Sequence, residues 1–213
     1  MGERRVYEAS KRALDVAVGA AAAAALAPVF LAIAAAVRLD SEGPALYIGR
    51  RIGLRGRPFG MFKFRTMIVD AERHGSSTGK GDPRVTRVGR FLRRYKLDEL
   101  PQLFNVIRGE MSLVGPRPEV EEHTRDYDAR EQLILSVRPG ITDYSSLRFV
   151  DLADVLGEVD PRRAHERYLT EVRSKKNALR LEYVERRSFF EDLRIIAMTV
   201  ATLARRAFSR ADR

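Results

Sequence analysis

The sequence predicts an α+β protein that is mostly helical, with an amino-terminal membrane helix and one small β-hairpin. Three observations support this prediction. Residues 13–37 are apolar except for Asp15, two short strand-like runs flank a turn at 54–57, and apolar residues recur at helical spacing toward the carboxyl terminus. We expect an amino-terminal segment, residues 1–40, and a larger domain, residues 41–213, to form one functional unit.

The composition narrows the function classes. The chain has 213 residues, of which 32% are charged and 45% hydrophobic, and its formal net charge is +10. An excess of positive charge favours an anionic partner, such as nucleic acid, an anionic membrane surface or a phosphorylated substrate. The absence of cysteine excludes disulfides, thiolate nucleophiles and cysteine-ligated metals. No two of His74, His123 and His165 have ligand spacing, so the sequence predicts no histidine-based zinc site.

The apolar run 13–37 has the length that a bilayer core requires, about 20 residues. Pro28 lies inside the run, removes one backbone hydrogen bond and should kink the helix. Basic residues flank both sides, which favours both ends on the cytoplasmic side of a membrane. A re-entrant helix that enters and leaves one leaflet satisfies both facts. The flanking residues are Arg4, Arg5, Lys11, Arg12, Arg38, Arg50 and Arg51.

Other interpretations of this run stay open. An ordinary single span with Pro28 as a mild kink has the same length and composition. A cleaved signal peptide or the buried helix of a soluble protein would also contain such a run, although the length of the apolar stretch argues against a signal peptide.

Short elements are predicted in the first half of the larger domain. A β-hairpin should pair 45–52 with 58–64, and 68–73 should form a short helix. The polar, glycine-rich segment 75–81 is predicted to be a mobile loop, and 85–95 a basic helix.

A helix is predicted over 97–108. Leu100, Leu103, Phe104 and Ile107 share one face of it, and Gly109 closes it. Because proline is tolerated only in a first turn, Pro101 places the helix start near Asp98, which is a good N-cap residue.

Helices also dominate the remainder. After a proline-rich turn at 115–118, residues 119–137 should form a solvated helix that Pro139-Gly140 ends. Residues 189–208 form a basic amphipathic pattern, which fits a helix at a membrane interface and equally a helix packed on the domain's own core.

The Asp98-Glu99 pair carries the strongest chemical signal. The simplest interpretation is that Asp98 caps a helix and Glu99 interacts with its dipole. Arginine side chains suit phosphate oxygens, and helix N-termini bind phosphates. The dipole of a helix that starts here should also keep Asp98 ionised. One carboxylate there could attack phosphorus while the other holds a divalent cation. The nearby basic residues are Arg87, Arg90, Arg93, Arg94, Lys96 and Arg117.

From residue 11 to residue 199 the sequence resembles the monotopic phosphoglycosyl transferases, also called bacterial sugar transferases. Many long motifs occur in the family's order, which makes the resemblance specific. The motifs are Lys11-Arg12-Ala13-Leu14-Asp15, Phe62-Lys63-Phe64-Arg65-Thr66-Met67, Asp82-Pro83-Arg84-Val85-Thr86, Leu97-Asp98-Glu99-Leu100-Pro101-Gln102-Leu103, Met111-Ser112-Leu113-Val114-Gly115-Pro116-Arg117-Pro118, Arg138-Pro139-Gly140-Ile141-Thr142 and Asp192-Leu193-Arg194-Ile195-Ile196.

The resemblance implies a two-step reaction. Asp98 would attack the β-phosphorus of a UDP-sugar, release UMP and become a phosphosugar aspartyl ester, which polyprenyl (undecaprenyl) phosphate then attacks. Glu99 would help to bind Mg²⁺, and Lys63, Arg93 and Arg117 would engage phosphates. The simpler interpretation of Lys63 is a solvated strand lysine.

The resemblance also implies a location. The apolar helix would be re-entrant and broken near Pro28, with amphipathic interfacial helices around an active site on the cytoplasmic face of the bacterial inner membrane. The reaction would be the first membrane step in making a glycoconjugate such as an exopolysaccharide, O-antigen, capsule or glycoprotein glycan. The expected partners are UDP-sugar, polyprenyl phosphate and membrane lipid, with no nucleic acid. A homo-oligomer and the identity of the sugar stay open.

Two positions depart from the family pattern. Ala27-Pro28 stands where Ser-Pro is common, so a serine hydrogen bond that sharpens the break is lost. Asp143 stands where glycine is more usual, which we connect with a different sugar. The chain lacks the extra membrane helices and regulatory domain of larger members, which is the pattern of a minimal catalytic unit.

Two rival functions remain. The charge of residues 84–96 is also typical of a nucleic-acid-binding protein, but that function leaves the apolar helix and the Asp-Glu pair unexplained. A non-catalytic membrane adaptor would explain the helices and would not need Asp98.

Overall fold

The computed structural model describes residues 2–71, 81–157 and 161–211, and it shows a mostly helical α+β fold with two small sheets. The strands are β1 (Leu46–Ile52), β2 (Pro58–Phe64), β3 (Ser112–Val114) and β4 (Gly140–Thr142). The helices are α1 (Gly2–Ala25), α2 (Ala27–Asp40), α3 (Arg87–Tyr95), α4 (Gln102–Arg108), α5 (Glu121–Thr124), α6 (Tyr144–Arg148), α7 (Leu152–Leu156), α8 (Pro161–Arg167), α9 (Arg173–Arg186) and α10 (Phe189–Ala211).

The apolar amino-terminal run forms two helices that meet at Leu26 with a bend of 62°. Pro28 lies in the first turn of α2, where its missing N–H costs least, so the second helix restarts just before it. Within the described residues, no single helix is long and apolar enough to cross a membrane, whereas Val6–Ala25 and Ala27–Asp40 together pass that test by length and composition. The break that the sequence predicts is therefore present.

The predicted β-hairpin is confirmed. Strands β1 and β2 pair antiparallel, with Tyr47 opposite Lys63 and Ile52 opposite Pro58. A 3-10 turn at Leu54–Gly56 joins the two strands. The pairing with β1 places Lys63 in the register opposite Tyr47.

The short helix predicted over 68–73 is wrong for residues 68–70, which form a turn with Asp70 in a left-handed conformation (φ 61°), whereas Ala71 is in a 3-10 helix. Residues 72–73 and the predicted loop 75–81, except Gly81, lie outside the described residues.

Helix α3 is close to the predicted 85–95. Its first turn is capped by Thr86, whose Oγ1 accepts a hydrogen bond from the Gly89 N–H at 3.0 Å. A Cβ at Gly89 would lie 2.1 Å from the Thr66 carbonyl oxygen, so only glycine lets the helix lie this close to the end of β2. Lys96 then adopts a left-handed conformation (φ 58°) and ends the helix.

The helix predicted to begin at Asp98 begins instead at Gln102. Residues Leu97–Glu99 form a 3-10 turn, and the Leu100 N–H bonds to the Leu97 carbonyl. Proline has no N–H to donate, so Pro101 interrupts the α-helical hydrogen-bond pattern immediately after this turn. Asp98 is therefore not the N-cap of an α-helix.

The solvated helix predicted over 119–137 is also wrong. Only α5 and a 3-10 segment, Glu131–Ser136, are helical there. Asp128 Oδ1 accepts hydrogen bonds from the Arg130 and Glu131 N–H groups at 2.8 and 2.7 Å, a local turn that competes with helix formation. Glu119 points inward and pairs with the fully buried Arg180. These contacts hold the segment on the core.

The second sheet pairs β3 parallel with β4, and the sequence did not predict it. Gly115 and Gly140 make this pairing possible, because a Cβ at Gly140 would lie 2.1 Å from the Gly115 nitrogen. The pairing brings the proline-rich turn after β3 next to the start of α6.

The first resemblance motif acts as a clamp on the amino-terminal helix. Lys11 pairs with Asp192 of α10 at 2.8 Å, and Asp15 accepts a hydrogen bond from the Leu113 N–H at 3.0 Å. Arg12 donates to the carbonyls of Val106 and Ile107 at 2.6 and 2.9 Å, which satisfies the end of α4. Helix α1 is therefore fixed to the same elements that carry the Asp-Glu pair.

Helix α10 confirms the helical pattern predicted over 189–208. Ile195 is fully buried against the core, while Phe190 is 81% and Val200 62% exposed. The helix therefore packs on its own domain and still presents a row of large apolar side chains outward.

Candidate functional site

The Asp-Glu pair lies in the tight turn between α3 and α4. Asp98 is buried, with 7% of its surface exposed. Its Oδ1 atom has no hydrogen-bond partner within the described part of the chain. A buried acceptor without a partner is costly, and such atoms are expected at sites where a ligand supplies the missing contact.

Glu99 has two cationic partners. Its Oε1 atom lies 3.0 Å from Lys63 Nζ on β2 and 2.6 Å from an Arg117 guanidinium nitrogen in the proline-rich turn. Burial alone would raise the pKa of Glu99, but the charges of Arg117 and Lys63 outweigh it and hold the pKa well below its usual range. Glu99 is therefore an ionised, paired carboxylate.

The pKa of Asp98 shifts in the opposite direction. Burial raises the pKa of Asp98, and the negative charge of Glu99 raises it further, against the opposing charges of Lys63, Lys96 and Arg93. Asp98 is not at the N-cap from which the helix-dipole argument started, because α4 begins at Gln102, so an ionised Asp98 stays a prediction. The surrounding cations favour the ionised form.

All five residues that the sequence assigns to the site converge. Lys63 and Arg117 contact Glu99, and Arg93 is close enough to Asp98 to affect its pKa. Arg93 is oriented by Thr66, whose hydroxyl accepts from its Nε at 2.8 Å. Lys63 is 22% exposed and ion-paired, so it is not a solvated strand lysine.

Sequence reasoning missed two residues that orient Arg117. The Gln102 side-chain carbonyl accepts a hydrogen bond from Arg117 at 2.8 Å, and Asp143 accepts from the Arg117 backbone N–H at 3.3 Å. Gln102 is a polar residue inside the Leu97–Leu103 motif, next to the apolar Leu103 and Phe104, which is the signal that could have identified it. Asp143 was noted only as a departure from glycine. It is fully buried and caps α6 by accepting from Ser146 at 2.7 Å.

Asn105 is a third missed residue, and it docks α4 onto β2. Its side-chain oxygen accepts from the Phe62 N–H at 2.9 Å, and its Nδ2 donates to the Gly60 carbonyl at 2.7 Å. This buried amide fixes the turn that carries Glu99 against the strand that carries Lys63.

At this site a buried carboxylate has one oxygen without a partner among the described residues, and four cations lie nearby, Lys63, Arg93, Lys96 and Arg117. Arginine and lysine at this density suit the oxygens of a phosphate or diphosphate. A divalent hard cation also fits, because Mg²⁺ needs only one or two protein carboxylates when substrate phosphates supply other oxygens. Asp98 Oδ1, which has no partner among the described residues, is the oxygen that would bind such an ion or attack phosphorus.

Comparisons with known proteins agree with this chemistry. The family model described as bacterial sugar transferase matches residues 6–206. The UDP-glucose:undecaprenyl-phosphate glucose-1-phosphate transferase of Caulobacter vibrioides is 39% identical over 94% of this chain and 72% of its own length. Exopolysaccharide production protein ExoY of Rhizobium meliloti is 39% identical over 90% of this chain and 84% of its own length.

The share of a relative's own length that the match spans differs among the relatives. The undecaprenyl-phosphate glucose phosphotransferase of Komagataeibacter xylinus is 39% identical over 94% of this chain, but the match spans only 36% of that longer protein. The similarity therefore concerns a part of that relative that corresponds to nearly all of the present chain.

The two carboxylates should affect stability in opposite directions. For Asp98, whose pKa is raised on folding, ionisation costs stability as the pH rises above about 3.9, the ordinary aspartate value. For Glu99, whose pKa is lowered on folding, ionisation adds stability that is present above about pH 4.3 and is lost as the pH falls toward the pKa of the folded protein.

At pH 7, Asp98→Asn should unfold at a temperature no lower than the wild type. Glu99→Gln should lose about 3 kcal/mol of unfolding free energy, because it breaks a largely buried ion pair.

Thermal unfolding of the three proteins in the same detergent measures this difference. The two variants are matched controls, since each replaces one carboxylate by its amide at adjacent positions. An Asp98→Asn protein that loses as much stability as Glu99→Gln would contradict the assignment of paired and unpaired roles.

Proposed function

Because the chain belongs to the bacterial sugar transferase family, we propose that it transfers a sugar 1-phosphate from a UDP-sugar to undecaprenyl phosphate and releases UMP. Relatives are named for glucose and for N-acetylgalactosamine, so the proposal concerns the class of UDP-sugars. The product, a polyprenyl diphosphate sugar, would be the first membrane-bound intermediate of a glycoconjugate such as an exopolysaccharide.

One observation supports this proposal most strongly. Asp98 carries a buried, unpartnered oxygen beside a carboxylate that two cations already neutralise. Most buried side-chain oxygens that serve only a structural role have a hydrogen-bond partner. A nucleophile that must reach phosphorus needs an oxygen that no protein group occupies.

In the first step, an Asp98 carboxylate oxygen attacks the β-phosphorus of the UDP-sugar. The bond from that phosphorus to the oxygen bridging the two phosphates breaks, and UMP leaves with both bonding electrons. Lys63, Arg93 and Arg117 would stabilise the charge that develops on the phosphate oxygens. The enzyme then holds a phosphosugar ester of Asp98.

In the second step, a phosphate oxygen of undecaprenyl phosphate attacks the same phosphorus. The bond to the Asp98 oxygen breaks, and the free carboxylate is restored. The acceptor is already anionic and needs no strong base, so the site works without a proton-abstracting side chain.

We further propose that the carboxylate pair binds Mg²⁺, with Glu99 as the principal ligand. Bound Mg²⁺ would neutralise charge on the diphosphate and its leaving group. Lys63 and Arg117 position Glu99 for this role.

A re-entrant membrane insertion completes the proposal. The 62° bend between α1 and α2 and the basic residues on both flanks favour a helix pair that returns to the cytoplasmic face of the inner membrane. Leu31 and Leu39 of α2 are 74% and 89% exposed, which suits contact with lipid. Phe190 of α10 would lie at the same interface.

The covalent step is tested by incubation of the enzyme with a UDP-sugar and Mg²⁺ in the absence of lipid. Intact-mass spectrometry should show a protein heavier by one phosphosugar, and peptide mapping should place it on Asp98. Initial rates with both substrates should follow ping-pong kinetics. Asp98→Asn should give neither adduct nor product.

Two outcomes would overturn this assignment. Intersecting initial-rate lines with no adduct would indicate direct transfer in a ternary complex. Full turnover by Asp98→Asn would remove Asp98 from the chemistry, and a folded wild type that never releases UMP from any UDP-sugar would favour a membrane adaptor.

The metal role predicts complete dependence on a divalent cation. EDTA should abolish UMP release and added Mg²⁺ should restore it. Glu99→Gln should lose most activity while it remains folded, as judged by circular dichroism. Undiminished turnover in EDTA would remove the metal from the proposal.

Topology is testable because the chain has no native cysteine. Single cysteines at Gly2 and at the exposed Glu42 should both be shielded from an impermeant reagent added to the periplasmic side, and both should react after permeabilisation. Pro28→Ala should straighten the helix and shift some molecules toward a spanning state. If only one of the two positions is labelled from the periplasmic side while Pro28 is unchanged, the helix pair spans the membrane.

A further inference from the structure

Two histidines and a glutamate from separate helices converge away from the Asp-Glu pair. Glu122 and His123 belong to α5, and His165 belongs to α8. One ligand atom from each lies within 4.8 Å of the other two. We propose that these three residues form a second metal site, for a divalent transition metal of the zinc class.

His123 provides the most specific support. The residue is 8% exposed, and its Nε2 atom is buried with no hydrogen-bond partner in the described part of the chain. Its other ring nitrogen, Nδ1, lies 3.1 Å from Glu119 Oε2. If Nδ1 donates to that carboxylate, the lone pair is on Nε2, which is then the ring nitrogen left to bind a metal.

The Glu119 carboxylate is held independently of any metal. It accepts hydrogen bonds from Tyr168, at 2.6 Å, and from the buried Arg180. A carboxylate that fixes the tautomer and orientation of a histidine is the usual outer partner of a metal-bound imidazole. The fold therefore already stabilises the buried Glu119 and, through it, the orientation of His123.

The ring of His123 is also fixed by stacking. Its centroid is 5.0 Å from that of Tyr168 and 5.6 Å from that of His165, with interplanar angles of 24° and 21°. Tyr168 begins a single π-helical turn, Tyr168–Val172, directly after α8. Such turns occur often at functional sites, and this one follows the helix that presents His165.

The distances are compatible with coordination after small side-chain movements. His165 Nε2 lies 3.7 Å from Glu122 Oε1. Four-coordinate zinc with bonds of about 2.1 Å separates neighbouring ligand atoms by about 3.4 Å. Glu122, whose side chain is 67% exposed, can rotate toward the two imidazoles.

The ligand types select the metal. Two imidazole nitrogens and one carboxylate oxygen suit Zn²⁺ and related borderline cations, whereas Mg²⁺ prefers oxygen alone. Three protein ligands would leave one coordination position for water. The metal would tie α5, which follows the turn that carries Arg117, to α8. This site is independent of the proposed transfer reaction.

The test is Zn²⁺ titration of the full-length protein in lipid nanodiscs, by calorimetry, with excess Mg²⁺ present to occupy the carboxylate dyad. We expect one saturable Zn²⁺ per chain and a higher unfolding temperature when Zn²⁺ is bound. Glu122→Gln and His165→Gln should each weaken the affinity by roughly 10-fold or more, since even the loss of an outer partner has that effect. Co²⁺ in place of Zn²⁺ should give visible absorption that both variants lose.

Glu121→Gln is the matched control, because it removes the same charge from the next exposed position of the same helix. It should bind Zn²⁺ as the wild type does. Three results would each overturn the site: no saturable binding by the wild type, unchanged affinity in both ligand variants, or an equal loss in Glu121→Gln. Both ligand positions are at least partly exposed, so neither variant should prevent folding.

Discussion

The paired contact of Glu99 with Lys63 and Arg117 is the interaction on which the site depends. Two adjacent carboxylates cannot both be buried as free charges, since each raises the energy of the other. Because Glu99 is neutralised from two sides, Asp98 is the carboxylate whose Oδ1 has no hydrogen-bond partner among the described residues. The same contact joins three distant parts of the chain, namely the hairpin, the turn after α3 and the proline-rich turn. The architecture of the protein can be understood as the means of bringing these three segments together.

Most of the family-like motifs serve this assembly and do not touch the dyad. Arg12 of the first motif caps the end of α4 from the amino-terminal helix, and Asn105, which lies outside the motifs, docks α4 onto β2. Gly140 permits the short parallel sheet that delivers Arg117. Helix α1 is therefore part of the scaffold of the site as well as of the bent helix pair.

Features set by local sequence could be predicted, and those set by distant contacts could not. The hairpin, the break near Pro28 and the basic helix before the dyad follow from turn residues, proline chemistry and periodicity. The start of α4 was misplaced because the 3-10 turn Leu97–Glu99 ahead of Pro101 was not foreseen. The helix over 119–137 was wrong because burial of Glu119 depends on Arg180. The raised pKa of Asp98 depends on burial, which one sequence does not reveal. The approach of His123 to His165 was missed for the same reason, since spacing along the chain reports only neighbours on one element.

The central claim is that Asp98, left unpaired by the neutralised Glu99, becomes covalently bonded to phosphorus before the lipid arrives. Isotope exchange between labelled UMP and unlabelled UDP-sugar, with Mg²⁺ and without undecaprenyl phosphate, tests it most directly. An aspartyl phosphate is reactive enough to return its phosphosugar to UMP, so the account predicts that label enters the UDP-sugar with the wild type and not with Asp98→Asn. Exchange that begins only when the lipid acceptor is added would contradict the account.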